Sequence, residues 1–260
     1  MSGTEDRGRV TLAIDGDVAQ VTFDRPAARN AMTFEMYRQL DEACARIDAT
    51  EGLRVAVFRG AGGAFVAGTD IAEFTAFRSG EDGVAYEERV EKIITRLENL
   101  TVPSIAVVDG AAVGGGLILA AVCDFRLATP AARFGIPIAR TLGNCLSLRN
   151  AGRLERIVGP GPARRMLLLS ELIDGEAAER IGFALACLPP EMLESRLQEV
   201  IARLRAGAPL TISAGREAFR RLARGETRDE DLVSKVYGSR DFAEGVRAFL
   251  DKRKPAWEGH

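Results

Sequence analysis

Three consecutive glycines, Gly114, Gly115 and Gly116, join two apolar runs in the stretch SIAVVDGAAVGGGLILAAVCDFR, residues 104–126. SIAVV is short, rich in β-branched residues and stopped by Asp109-Gly110, so it reads as a strand. LILAAV holds no turn residue and reads as the start of a buried helix. A helix start leaves main-chain N–H groups without internal acceptors and carries partial positive charge, which favours a substrate oxygen that is gaining negative charge. Glycine lets that oxygen approach the main chain. A tight turn that needs glycine for its backbone angles is the alternative, and this stretch by itself leaves both open. An oxyanion site also needs a second donor from elsewhere in the chain.

A second glycine-punctuated stretch repeats the pattern: the strand-like VAVFRGAG empties into GGAFVAGTDIAEF, residues 62–74. Asp70 and Glu73 fall in what would be the first turn of a helix, where acidic residues are favoured, and an ordinary capped helix accounts for them equally.

The elements that must position these loops follow from patterning. VTLAIDGDVAQVTFD alternates around Asp15-Gly16-Asp17, which predicts a β-hairpin. RPAARNAMT breaks the alternation, and Thr33 caps a predicted helix with its core face at Met36, Tyr37, Leu40, Cys44 and Ile47. A second amphipathic helix is predicted over 84–100 through Val84, Val90, Ile93, Ile94 and Leu97, with Pro103 at its exit. LATPAARFGIPIARTLGNCLSLRN is turn-rich, and GPGPARRMLLLS is a proline-primed helix start. DGEAAERIGFALACL holds a further short helix and an apolar run; beyond residue 190 the period is almost wholly helical. The expected organisation is an α/β core over 1–195 built from β-β-α units, followed by a helical region over 196–260.

Composition narrows the function classes. With 35 Lys plus Arg against 37 Asp plus Glu the net charge is -2, so no basic excess points to nucleic acid or to an anionic membrane. The start MSGTEDRGR lacks the apolar run of a secretory signal and no apolar stretch reaches membrane-spanning length, from which a cytoplasmic protein is expected. Cys44, Cys123, Cys145 and Cys187 form no CxxC pair, so no zinc ribbon or disulfide framework is expected. The only histidine is His260, the last residue, which sets aside Ser-His-Asp, Cys-His and histidine-metal chemistry.

The pieces FDRPAARNAMT, AFVAGTDIAEF, VPSIAVVDGAAVGGGLILAAVCDFRLAT, RFGIPIA, LIDGEAAERIGF and EGVRAFLDKRKPAW, in this order, resemble the crotonase superfamily, the enoyl-CoA hydratase and isomerase family. The resemblance spans residues 10–257. It implies a crotonase-like α/β spiral of stacked β-β-α units with a C-terminal helical trimerisation region, assembled as a homotrimer or as two trimers back to back. It implies an acyl-CoA substrate, with coenzyme A as part of that substrate, no permanently bound cofactor and no metal. Carried over by position, the two oxyanion-hole amides fall on Thr69 and Gly115. The ligand contacts fall around Ala28, Ala67, Thr69, Asp70 and Ile71, and a C-terminal lysine, Lys252 or Lys254, is placed to meet the CoA phosphates unless both lie in a solvated tail.

The sequence departs from the family at the two glutamates that hydratases use to activate water. The first position falls on Ile118, and the second on Ile138 or, with a shifted alignment, on Ala139. None of these side chains moves a proton, and general acid–base catalysis is worth about 10² to 10⁴ in rate. Replacement candidates are Glu73 as a base, Arg140 and Asn144 as donors to a polar acyl group, and Tyr237 on a C-terminal helix. Each also has a purely structural reading. Cys145 is a candidate nucleophile with no activating neighbour in sequence. The expected function is therefore enolate-type lyase or isomerase chemistry on an acyl-CoA. The rivals are decarboxylation of a malonyl-type thioester, which needs no initial base, and a non-catalytic acyl-CoA-binding or scaffold subunit.

Overall fold

A computed structural model of the protein describes residues 7–260. Residues 1–6, most of the stretch read above for a secretory signal, lie outside the described residues. Among the described residues no helix is long and apolar enough to cross a membrane.

The predicted hairpin forms from β1 (Arg9–Asp15) and β2 (Val18–Asp24), paired antiparallel about a turn in which Gly16 has φ +59°. From β2 onward the sheet is parallel, through β3 (Val55–Gly60), β4 (Ser104–Val108), β6 (Phe125–Ala128) and β9 (Ala186–Cys187). Its order is β1-β2-β3-β4-β6-β9. A parallel sheet is buried on both faces, and the period of two divides its side chains between two cores. Ala19, Val21, Phe23, Ala56, Phe58, Ala106 and Val108 join the larger core beneath α1 (Phe34–Ala49), α2 (Gly80–Glu98) and α3 (Gly115–Ala121). The alternate set, Val18, Val55, Val57, Ile105 and Leu127, meets Leu193, Leu197, Val200 and Ile201 of α7 (Pro190–Ala206). The expected border at residue 195 thus falls inside a helix whose apolar face covers the first sheet.

A second, three-stranded sheet holds β5 (Ala111–Val113), β7 (Arg133–Gly135) and β8 (Ile173–Asp174). Successive turns of chain give one strand to each sheet and then a helix: β4, β5, α3, followed by β6, β7 and α4 (Leu148–Val158). These are the β-β-α units expected from the sequence. The next elements are α5 (Pro160–Leu168) and α6 (Gly175–Arg180), and α8 (Pro209–Ala223), α9 (Glu230–Tyr237) and α10 (Arg240–Leu250) close the chain. Arg216 ties α8 to the core through Asp124, at 2.9 Å, and the Leu100 carbonyl, at 2.7 Å.

Two local readings are corrected. The segment after Asp70 is a 3-10 turn, Ile71–Ala76, and not the start of an α-helix; Asp70 still caps it by accepting from the Ala72 amide. Val84 is 60% exposed and lies off the buried stripe of α2, which runs Tyr86, Val90, Ile93, Ile94, Leu97. Those five positions keep i, i+4, i+7, i+8, i+11 spacing, one face of a helix.

Candidate functional site

The segment 66–69 is clamped between two neighbours. On one side the Val66 amide donates to the Ala111 carbonyl, and the Val113 amide donates back to Val66. On the other, Ala67 donates to Arg29, Met32 donates to Gly68, and Asp70 donates to Met32. The bridge to Met32 therefore uses the Gly68 carbonyl and the Asp70 amide. The amide of Thr69, the residue between, points off that ladder. Buried Asn30 locks the neighbouring loop, accepting from the Arg25 amide at 2.8 Å and donating to the Ala61 and Ala64 carbonyls, both at 2.8 Å.

The three glycines of the second loop have three separate reasons. Gly114 adopts φ +58°, which favours glycine. A Cβ on Gly116 would stand 1.9 Å from the Val66 carbonyl oxygen, so only glycine lets α3 start against the 66–69 segment. Gly115 is the first residue of α3, where the amide has no acceptor inside the helix; the first helical returns come from Leu117 and Ile118, both to the Gly114 carbonyl. The turn falls on Gly114, and the amide without an acceptor inside the helix on Gly115.

Thr69 and Gly115 line one cavity of about 300 Å³. It runs on into a more apolar cavity of about 480 Å³ walled by Phe74, Phe77, Val84 and Leu142. Phe74 packs edge-on to Phe77 at 5.2 Å and to Tyr86 at 5.0 Å, which fixes the aromatic wall. Combined, this is the size of a small-ligand site.

Of the residues singled out in the sequence, Ala67, Ile71 and Asn144 line the first cavity with Thr69 and Gly115. So do Ile118 and Ile138, one on α3 and the other in the 3-10 turn Pro137–Ala139. Ala28 ends the 3-10 turn Pro26–Ala28, and its successor Arg29 lines the cavity. Asp70 pairs with Arg25 at 2.6 Å, and Glu73 accepts from the Phe34 amide at 2.9 Å, capping α1. Arg140 is exposed, Tyr237 stacks on Phe242 at 4.8 Å with 64% of its surface exposed, and Lys252 is exposed with φ +53°. None of these last five is among the residues lining the cavity. Cys145 lines both cavities.

Three side chains that the sequence reading assigned to packing or passed over stand at the site. Tyr37 of α1 places its hydroxyl 2.9 Å from Thr69 Oγ1, and Tyr86 of α2 places its own 2.7 Å from the same atom. Tyr37 is buried, and its hydroxyl also meets that of Tyr86. A buried donor left unpaired costs about 1–3 kcal/mol. Tyr37, Thr69 and Tyr86 form one cluster of hydroxyls, each able to donate or to accept. Tyr86 lines both cavities and Tyr37 neither. Burial pushes both phenols above their usual range, so both stay protonated at neutral pH.

Glu87 is the third. It lines both cavities, is half-buried and is hydrogen-bonded by the Ser147 hydroxyl, whose oxygen accepts from the Asn150 amide to cap α4. Burial raises its carboxyl above the usual range; Ser147 opposes the shift and Glu91, one turn away, adds to it. A carboxyl raised in the folded state binds protons there that the unfolded chain has already released, so its ionisation destabilises the fold above that range. Glu87→Gln is therefore expected to raise Tm at pH 7 to 8, with the gain fading as pH falls to the ordinary carboxylate range. Thermal melts across that pH span test it; an equal gain at acid pH contradicts the assignment.

Period alone would have found Tyr86, four residues before Val90 on the same stripe. Nothing in the sequence marks Glu87, whose partner Ser147 lies 60 residues on, across a loop.

Comparison with known proteins gives concordant likenesses. The family model for enoyl-CoA hydratase/isomerase matches residues 13–260. The chain is 31% identical over 251 residues to the short-chain-enoyl-CoA hydratase of Clostridium acetobutylicum, covering 94% of this chain and 95% of that one. It is also 31% identical over 262 residues to the (E)-benzylidenesuccinyl-CoA hydratase of Thauera aromatica, covering 96% and 99%. Among solved structures, an enoyl-CoA hydratase/carnithine racemase from Magnetospirillum magneticum superposes with a TM-score of 0.90 at 31% identity, covering 96% of each chain.

Proposed function

The chain belongs to the enoyl-CoA hydratase/isomerase family of the crotonase superfamily, and from that premise we propose that it processes an acyl-CoA thioester through an enolate. The observation that carries this reading is the pair of amides, Thr69 and Gly115, brought from separate loops to one cavity. When the acyl chain loses a proton, gains a nucleophile or loses CO₂, negative charge moves onto the thioester oxygen, and two fixed N–H groups hold it. Coenzyme A enters as part of the substrate, with Ala67 and Ile71 beside its thioester end; Ala28 and Lys252 are proposed contacts of its outer parts.

The acyl pocket supports a substrate with a bulky apolar tail, since Phe74, Phe77, Val84 and Leu142 form its far wall. The two named relatives act on acyl groups as unlike as a short chain and benzylidenesuccinyl, so family membership leaves the acyl group open. The family's paired-glutamate hydration finds no carboxylate at Ile118 or at Ile138 (Ala139 with a shifted alignment). Decarboxylation of a malonyl-type ester is a second reading favoured by that same observation: Ile118 and Ile138 give an apolar wall and no base, and loss of CO₂ needs none.

The exposed apolar residues of the C-terminal helices, among them Phe219, Leu222, Phe249 and Leu250, support assembly into a trimer or a pair of trimers. Incubating the protein with saturated, 2-enoyl, 3-enoyl and malonyl-type CoA esters, each followed by mass spectrometry, tests the function. Conversion of an enoyl ester supports lyase or isomerase chemistry, and CO₂ release supports decarboxylation. Tight binding without turnover of any ester leaves a non-catalytic acyl-CoA-binding subunit.

A further inference from the structure

We propose that Tyr86 is the catalytic proton donor of this site, delivering its phenolic hydrogen to the enolate carbon of the bound acyl group, with Tyr37 and the Thr69 hydroxyl as positioning residues that aim it. The proposal rests on the acyl-CoA reading above and names the acid that Ile118 and Ile138 cannot supply.

Three observations carry it. The Tyr86 hydroxyl stands 2.7 Å from Thr69 Oγ1, so the donor is held beside the residue whose amide the acyl-CoA reading assigns to the thioester oxygen. Thr69 and Tyr86 line the cavity and buried Tyr37 stands behind them, so Tyr86 is the phenol of this cluster that reaches a ligand there. The ring of Tyr86 is fixed by Phe74 at 5.0 Å and Phe34 at 6.0 Å, so the hydroxyl does not have to be gathered from many rotamers. Its raised ionisation range keeps the hydrogen on oxygen until an enolate forms.

In the step itself the Tyr86 O–H bond breaks and a C–H bond forms at Cα. The enolate electron pair becomes that new bond while C–O⁻ returns to C=O. The phenolate left behind takes a proton from water entering as product leaves.

The test runs the four CoA esters in D₂O with the wild type, Tyr86→Phe, Tyr37→Phe and Thr69→Val, the last keeping its amide. The wild type is expected to place deuterium on one face of Cα. Tyr86→Phe is expected to lower kcat about 10²-fold or more with KM little changed, and its residual product to carry deuterium on both faces. Tyr37→Phe and Thr69→Val are expected to lose less rate and to lose facial selectivity, an effect that a packing role for these side chains does not produce. If Tyr86→Phe fails to fold, those two variants decide. Unchanged rate and unchanged facial selectivity in Tyr86→Phe, or in both positioning variants, overturn the proposal while the acyl-CoA reading stands. If the wild type converts none of the esters, the reading falls and the proposal with it.

Discussion

Gly115→Pro is expected to lower kcat about 10² to 10³-fold relative to Gly115→Ala, about 2.7–4 kcal/mol of transition-state stabilisation. Both substitutions place a Cβ in the same spot, 2.8 Å from the Tyr37 hydroxyl and 3.6 Å from Thr69 Oγ1, so crowding is shared between them. Only proline removes the N–H. Position 115 opens α3, and proline is tolerated at the first helical residue because that amide has no partner inside the helix. The measurement is kcat and KM for both variants with whichever ester the wild type converts, beside melts that verify folding. Equal rates for the two would mean that the Gly115 amide does not hold the charge.

Arg153→Ala is expected to cost about 3–5 kcal/mol of stability. The Arg153 side chain is 7% exposed and donates to Glu91 at 2.6 Å and Glu98 at 2.8 Å on α2, to Thr95 at 3.1 Å and to Asn150 at 2.8 Å. Truncation leaves two carboxylates on one helix face without their shared buried cation, paired with the more exposed Arg149 and Arg156. For Glu91, burial works to raise the carboxyl pKa, but the hydrogen bonds from Arg153 and Thr95 prevail and hold it below the usual range. A lowered folded-state value contributes stability above the ordinary carboxylate range that is lost as pH falls through it. Urea unfolding at pH 7 and at pH 3 should therefore show the Arg153→Ala deficit at pH 7 and a much smaller one in acid. A deficit independent of pH would assign the loss to packing alone. The consequence reaches the site, because the same helix pair carries Glu87 and the Ser147 cap of α4.

Much of the molecule is written in local pattern. The hairpin at Asp15-Gly16-Asp17, the Thr33 cap, which accepts from the Met36 amide at 3.2 Å, and the glycine loops before 69 and 115 follow from neighbours a few residues apart. Period and turn chemistry act at that range, so the sequence specifies them directly. From the ordered motifs the resemblance implied two amides at Thr69 and Gly115, and isoleucine in place of the family's glutamates at 118 and at 138, or alanine at 139. Those losses matter because both side chains line the cavity, and that fact belongs to the tertiary structure.

Side-chain partnership across distant segments was not legible. Glu73 read as a candidate base and Asp70 as a ligand contact, and in the fold the first caps α1 and the second pairs with Arg25; an acidic residue near a loop has the same local signature in either role. Tyr37 read as one more core position, because period reports which face is buried and not what a phenol meets there. The sequence determined the family's scaffold and the two glycine loops, since these depend on glycine and on local hydrogen bonding. Only the packing of α1 and α2 against the 66–69 segment decided that two tyrosines meet at Thr69 and that a carboxyl stands beside them. Hydrogen bonds of 2.7–2.9 Å between residues 17 and 32 positions apart exist only once those elements are brought together.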